Sequence, residues 1–497
     1  MSKQKINYIF MMLYQFFMVI TPLLTTPYVV RVLGPEKIGE DAYANSFVQM
    51  FLVFVMLGIA SYGKKVIASV DSQFQAESNR NDTKAHKKAL KSEFGGVFGI
   101  QFIAMVTMLL LYLLLVTLFF EGSSVFYTYG FMIIAYGFDI SWYFIARGEL
   151  RKIMVRTILI RMVTISSIFL FVKSEEDLWL YVFMNCFLLL LGQVYIWFFL
   201  IRELGGFSVQ KASLKKHLRP ILILAVIPVS TMVYISVNRV VLGAVQGEVE
   251  VGYYNQAYKL YTIGLLFVQA LSAVLMPRLV HYYEVGDREQ FRSMLTFFFR
   301  YICASVLPVC LGVVAVSDAL IHVFLGIDFM PVVPVIIVLI LSLFLAAMSD
   351  LFGTQIMVIR GQNKAYAYSG IIGSAMSFGF NLYIVTVLAS EGTALSFLVG
   401  NLVIVSIQIY FIRDLLHVKQ MILIMMPYVT YSFIMMACIF AVPYVYSGPA
   451  FYTLVIQCFV GIGSYIALLL MRNDEILYYI IRSFRKKPSK DKRMEET

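Results

Sequence analysis

Apolar runs of about 20 residues or more recur along nearly the whole chain, each long enough to cross the hydrocarbon core of a bilayer as a helix. That feature leaves few folds open. Over 497 residues, 60% are hydrophobic and only 14% charged, whereas a soluble chain would carry about a quarter charged residues. Runs and breakers predict fourteen helical spans, near 6–30, 41–62, 94–119, 125–146, 153–172, 178–201, 220–243, 251–276, 293–320, 331–358, 365–389, 394–412, 421–446 and 450–471. The first run follows Lys3 and Lys5, lacks a small-residue cleavage site and is too long for a removable signal peptide. It reads as a permanent span.

The connections sort by charge. Lys64, Lys65, Arg80, Lys84, Lys87, Lys88 and Lys91 fill the second, and Arg147, Arg151 and Lys152 mark the fourth. Basic residues also mark the sixth (Lys211, Lys215, Lys216, Arg219), eighth (Arg278, Arg288, Arg292), tenth (Arg360, Lys364) and twelfth (Arg413, Lys419). The odd connections are short and acidic or neutral, as in "EGSS", "SEED", "QGEVE", "SEG" and "YSGP". The positive-inside rule then predicts two cytoplasmic termini. It also explains the net charge of +11 as topology, which leaves no reason to invoke a nucleic-acid partner. The basic tail "RSFRKKPSKDKRMEET" reads as attracted to anionic headgroups.

One charged corner is written twice, as "YVVRVLGPEKIGEDAY" from residue 28 and "VNRVVLGAVQGEVEVGYY" from residue 237. Arg31 ends the first span and Arg239 the seventh, with Pro22 and Pro228 before them at similar depths. The fourth and tenth spans also match: "FDISWYFIARG" and "SDLFGTQIMVIRG" pair Asp139 with Asp350 and Arg147 with Arg360. Six spans therefore repeat as six in the same orientation, the parallel-repeat logic of some transporters. The expected fold is an all-α membrane protein of about fourteen transmembrane helices. Two pseudo-symmetric six-helix lobes, 1–202 and 220–416, would surround a central cavity. A linker at 203–219, two extra helices at 417–472 and a cytoplasmic tail at 473–497 complete the chain.

A cation at the bilayer centre costs roughly 2.5–3.5 kcal/mol on insertion scales, so each needs a partner or a wet cavity. Arg161 sits mid-span at the depth of Asp139, which suggests either a structural ion pair or a cavity contact. Lys259 lies about two turns inside the eighth span, lining the cavity or snorkelling outwards. Arg31 and Arg239 oppose the positive-inside rule, again by snorkelling or by function. Several cations converging on one cavity suit a phosphorylated anion. A catalytic or metal centre is not expected. There is no P-loop, and His86, His217, His281, His322 and His417 lack ligand spacing. Cys186, Cys303, Cys310, Cys438 and Cys458 all lie in apolar runs. No long outer loop could house a polymerase, so the chain reads as a non-enzyme. Gly95 and Gly99 form a helix-packing GxxxG.

Five stretches in order, "TTPYVVRVLGPEKIGEDAYANS", "FDISWYF", "VKSEEDLWLY", "VNRVVLGAVQGEVEVGYY" and "EGTALSFLVGN", resemble the Wzx-type polysaccharide-unit flippases. Those proteins belong to the multidrug/oligosaccharidyl-lipid/polysaccharide exporter (MOP) superfamily. The resemblance covers nearly the whole chain. It implies a multi-pass bacterial cell-membrane protein that carries undecaprenyl-pyrophosphate-linked oligosaccharide units from the inner to the outer leaflet by alternating access. A polysaccharide polymerase and chain-length machinery would be its partners beside the bilayer and the lipid-linked sugar. The alternatives are a multidrug or cation antiporter of the same superfamily, or a membrane polysaccharide polymerase. The resemblance places Arg31 and Lys259 where lipid II flippases keep arginines. It implies no cofactor beyond a coupling ion, Na+ or H+. Asn381 is the candidate ion ligand, although Val385 stands one turn later where sodium-using relatives carry aspartate. The chain also departs at Asn238, where many relatives have aspartate, and at "ARGE", Ala146 to Glu149.

Overall fold

In hydrocarbon every backbone N–H and C=O must be satisfied within its own segment, so runs of this length have one stable outcome, the α-helix. The computed structural model describes residues 3–76, 83–209, 211–415, 418–446 and 448–478. The first half forms α1 (Lys3–Met56), α2 (Ile59–Ala76), α3 (Thr83–Phe119), α4 (Ser124–Gly137), α5 (Ser141–Ala146), α6 (Leu150–Phe171) and α7 (Leu178–Leu204). The second half forms α8 (Lys211–Met232), α9 (Asn238–Gln246), α10 (Glu248–Val285), α11 (Arg288–Phe324), α12 (Val332–Ser349), α13 (Asn363–Ile412), α14 (Val418–Val445) and α15 (Ala450–Met471). Among the described residues ten helices are long and apolar enough to cross a membrane; they cover the predicted spans except those near 220–243 and 251–276, which fall on α8 to α10, and the fourth span is broken between Gly137 and Ser141. The chain is an all-α, multi-pass membrane protein. Arg80, His417 and the basic tail beyond residue 478 lie outside the described residues.

Breaks shape the long rods. α1 is interrupted at Gly34 (φ 70°, ψ 172°) and α13 at Ala389 (φ 45°, ψ −125°). α9 gives way to α10 at Gly247 (φ 92°, ψ 169°). Gly34 and Gly247 thus share a backbone conformation open to glycine and strained for residues with a β-carbon. The twice-written corner is one backbone device used twice, but its register differs from the expected one. Gly243, which follows Arg239 as Gly34 follows Arg31, stays helical and buried. At 1.5 Å per residue, Arg31 lies about 4.5 Å before its break and Arg239 about 12 Å. The two arginines therefore stand at different distances from their breaks.

The contacts divide the chain into two units, Met1–Gln256 with Ser374–Ser396, and Ala257–Gly373 with Phe397–Thr497. In the first, α4 packs on α1, α3 and α7, and α8 packs on α1, α2 and α3. Gly95 and Gly99 do serve close packing: a β-carbon at Gly95 would meet the Ser208 carbonyl at 2.1 Å, and one at Gly99 the Leu214 side chain at 2.8 Å. In the second unit α11 packs on α12, α14 and α15. There the Tyr465 hydroxyl donates to the Ala304 carbonyl at 2.8 Å and ties α15 to α11.

The motif "FDISWYF" marks a gap in the fourth span, where helix stops at Gly137 and resumes at Ser141. A gap inside a membrane frees carbonyls that must find donors. Gln101 donates to the carbonyls of Tyr136 and Asp139, both at 3.0 Å, and Trp197 donates to that of Phe138 at 2.9 Å. Trp142 donates in turn to the Gln101 side-chain oxygen at 3.2 Å and stacks on Phe94. The tryptophan motif is therefore a plug that seals a broken helix.

Candidate functional site

Three corners meet in the first unit. Around the breaks at Gly34 and Gly247, a β-carbon on Gly39 would come within 2.5 Å of the Glu248 carbonyl oxygen, and one on Gly252 within 3.0 Å of the Gly39 Cα. Only two glycines permit that approach. The break at Ala389 joins them through polar side chains. Gln246 donates to the carbonyls of Val385 (2.9 Å) and Thr386 (3.3 Å), acceptors near the interruption of α13. One oxygen of Glu250 accepts from the Ser390 amide at 3.2 Å and from its hydroxyl at 2.5 Å. Burial pushes the Glu248 carboxyl above the usual carboxylate range; Glu40 adds to the push and Lys37 opposes it. Lys37 itself binds Glu40 at 3.1 Å.

Below this junction lies Arg239, only 8% exposed. It donates to the Asn255 side-chain oxygen at 3.1 Å, and its guanidinium lies 5.5 Å from the Tyr254 ring centre. Beside it, Asn238 donates to the Ser377 hydroxyl at 3.1 Å, and Asn381 donates to the Asn238 carbonyl at 3.2 Å. The π-helical turn Val233–Val237 immediately precedes this cluster, a distortion common at functional sites. The side-chain oxygens of Asn238 and Asn381 are buried and meet no donor among the described residues. Neutral oxygens of this kind suit a hard cation or a water. No group of three or more His, Cys, Asp or Glu among the described residues could hold a metal ion.

Asp139 corrects one expectation. Its nearest cation is Arg156, at 4.0 Å, and not Arg161. The gap before α5 turns its carboxylate onto Ser141, whose amide and hydroxyl it binds at 2.9 and 2.5 Å. Arg156 stands five residues nearer than Arg161 to the start of α6, and it also donates to Gln193 at 2.8 Å. Arg161 instead acts electrostatically on Tyr136 and Tyr181. Tyr181 also feels Asp41, an interior acid that reading the sequence missed. Asp41 accepts from the Tyr129 hydroxyl at 2.6 Å, which in turn accepts from Asn45 at 3.2 Å. The available signal was an acid and an amide one helical turn apart in "GEDAYANS".

Two other predicted residues lie on α1 and α10. Arg31 is exposed beside buried Val30 and Leu33. Lys259 belongs to the second unit, half-buried on a face of α10 whose neighbours Tyr258 and Tyr261 pack on Phe397. Arg31, Arg161, Arg239 and Asn381 belong to the first.

The pattern of the family described as "Polysaccharide biosynthesis protein" matches residues 5–283. A chain of Escherichia coli (strain K12), provisionally named an O-antigen transporter, is 19% identical over 401 residues, spanning 79% of this chain and 92% of its own. Among solved structures, the inward closed form of the lipid II flippase MurJ superposes with a TM-score of 0.66 at 16% identity, covering 94% of this chain and all of that one. An inward-facing multidrug resistance MATE transporter of the MOP superfamily gives 0.60 at 15% identity, over 81% of this chain and 95% of its own. The two superpositions show a shared fold.

Proposed function

The chain belongs to the polysaccharide biosynthesis protein family, and from that premise we propose that it flips lipid-linked oligosaccharide units across a bacterial cell membrane. The units would be undecaprenyl-pyrophosphate-linked and would pass from the inner to the outer leaflet by alternating access. The observation that carries this reading is Arg239, a permanent cation only 8% exposed on α9, at the end of the predicted seventh span. Such a residue is expensive to insert and marks a substrate path by default. A carboxamide and an aromatic ring orient its guanidinium, a group whose planar fork suits a pyrophosphate.

The odd connections are the poorly basic ones, so the three-corner junction lies on the outer face with both termini cytoplasmic. Closure there describes a state sealed towards the outside. A coupling ion, Na+ or H+, would act on the same rods: the side-chain oxygens of Asn238 and Asn381 suit Na+, whereas H+ would need a titratable group. The test is complementation: Arg239→Gln should reach normal abundance in the membrane yet export little surface polysaccharide. Full export by that variant would overturn the reading.

A further inference from the structure

In the second unit, we propose a binding site for an anionic phospholipid, with its phosphate among Arg288, Arg292 and Arg360 and an acyl chain in the adjoining apolar slot. The chain builds the headgroup end at two turns. Gly286 (φ 79°) ends the α10 segment. Asp287 then caps α11 by accepting from the Gln290 amide at 3.0 Å, which places Arg288 in the first turn and Arg292 one turn later. Gly361 (φ 73°) makes the corresponding turn after Arg360. Between the two turns lies a cavity of about 490 Å³, lined by all three arginines together with Tyr282, Tyr283 and Asp414.

Charge decides what fits. Asp414 is matched to Arg360 through two hydrogen bonds, and Arg360 first, then Arg292, hold its carboxyl below the usual carboxylate range. Asp287 is engaged by its helix cap. Three guanidinium groups against two carboxylates leave a net positive cavity. Arg288 also sits in the first turn of α11, at the positive end of its dipole, where a cation is disfavoured unless an anion lies beside it.

An apolar slot shares Arg292 and Leu415 with this cavity and continues along Leu295, Phe299, Phe352 and Ile424. From Arg292 to Phe299 the helix rises about 10 Å, the offset between a phosphate and the upper part of an acyl chain. A free phosphate would use the first cavity and leave the slot empty. The eighth and tenth connections supply the arginines, and both are among the basic connections that the positive-inside rule assigns to the cytoplasm, facing the leaflet rich in anionic lipid. The site does not depend on what the protein transports.

The test is native mass spectrometry of the full chain in detergent, titrated with phosphatidylglycerol, with phosphatidylcholine and with inorganic phosphate. Phosphatidylglycerol should bind saturably and at least tenfold more tightly than either control. The double variant Arg288→Gln/Arg292→Gln should lose that preference. Thr296→Trp, which fills the slot, should weaken phosphatidylglycerol and leave the weak phosphate binding unchanged. Thermal unfolding of both variants confirms that they are folded. Equal phosphatidylglycerol binding by wild type and double variant overturns the site, as does phosphate binding as tightly as the lipid.

Discussion

Arg360 closes on Asp414 through two hydrogen bonds of 3.0 and 2.8 Å, and Arg147 stands 3.4 Å from Glu203. The tenth-span arginine thus meets an acid at the end of the twelfth, and the fourth-span arginine one at the end of the sixth. The two pairs occupy corresponding places in the repeat expected from the sequence. The first pair is reinforced: Arg147 also binds Asp71 at 2.8 Å, and Asp71 binds His86 at 2.9 Å. Arg147→Ala would leave Asp71 and Glu203 facing each other, each only about one-fifth exposed. It should destabilise by about 2 kcal/mol, between the surface and fully buried limits. Arg360→Ala should lose less than about 1 kcal/mol, because Asp414 is half exposed. Thermal unfolding in detergent ranks the two, and a larger loss at Arg360 would contradict the account.

Asp139 and Arg161 should behave as strangers. Asp139→Ala removes the acceptor at the start of α5 and the neighbour of Arg156, so folded protein in the membrane should fall. Arg161→Ala should leave abundance near wild type. Equal losses in both variants, measured on blots of membrane fractions, would restore the direct pair.

The three-corner junction should loosen as pH rises. The Glu248 carboxyl has a raised pKa in the closed junction, so the closed form binds more protons than a solvated carboxylate would. Its contribution to closure is present at acidic pH and is lost as pH climbs through the raised value. Glu36 and Glu40 strengthen this trend, and Lys37 opposes it. Hydrogen exchange across residues 34–41 and 246–250 should quicken, as pH rises out of the ordinary carboxylate range, by more than the intrinsic chemical rate. Glu248→Gln should flatten that excess. An unchanged slope in the variant would assign the effect elsewhere.

Gly39→Ala should pry the same junction open. The added carbon would overlap the Glu248 carbonyl, and overpacking of this kind costs about 1–3 kcal/mol. A cysteine at Gln246 should then react faster with a membrane-impermeant maleimide. Unchanged labelling would show that the junction tolerates the extra carbon.

The helices were legible because lipid leaves helix as the only local answer. What escaped the sequence was tertiary. Gly243 and Gly247 are equally good breakers on paper. Gly243 is needed elsewhere, since a β-carbon there would lie 2.3 Å from the Tyr43 ring, so the turn falls at Gly247. Asp139 was assigned the wrong arginine because hydropathy runs straight through the gap between α4 and α5. Asp41 was passed over because its hydroxyl partner, Tyr129, lies 88 residues away.

The most direct measurement is surface polysaccharide in a strain lacking the native gene, normalised to transporter abundance, for Arg239→Gln, Arg31→Gln and Lys259→Gln. A buried cation that meets pyrophosphate contributes a tenfold effect for each ~1.4 kcal/mol of interaction. Arg239→Gln should therefore cut export at least tenfold at normal abundance, and Lys259→Gln should also fall, with Lys259→Arg retaining most activity. Arg31→Gln, at an exposed position, should lose less than Arg239→Gln. Full export by the triple glutamine variant would contradict the claim that these cations carry a phosphorylated lipid.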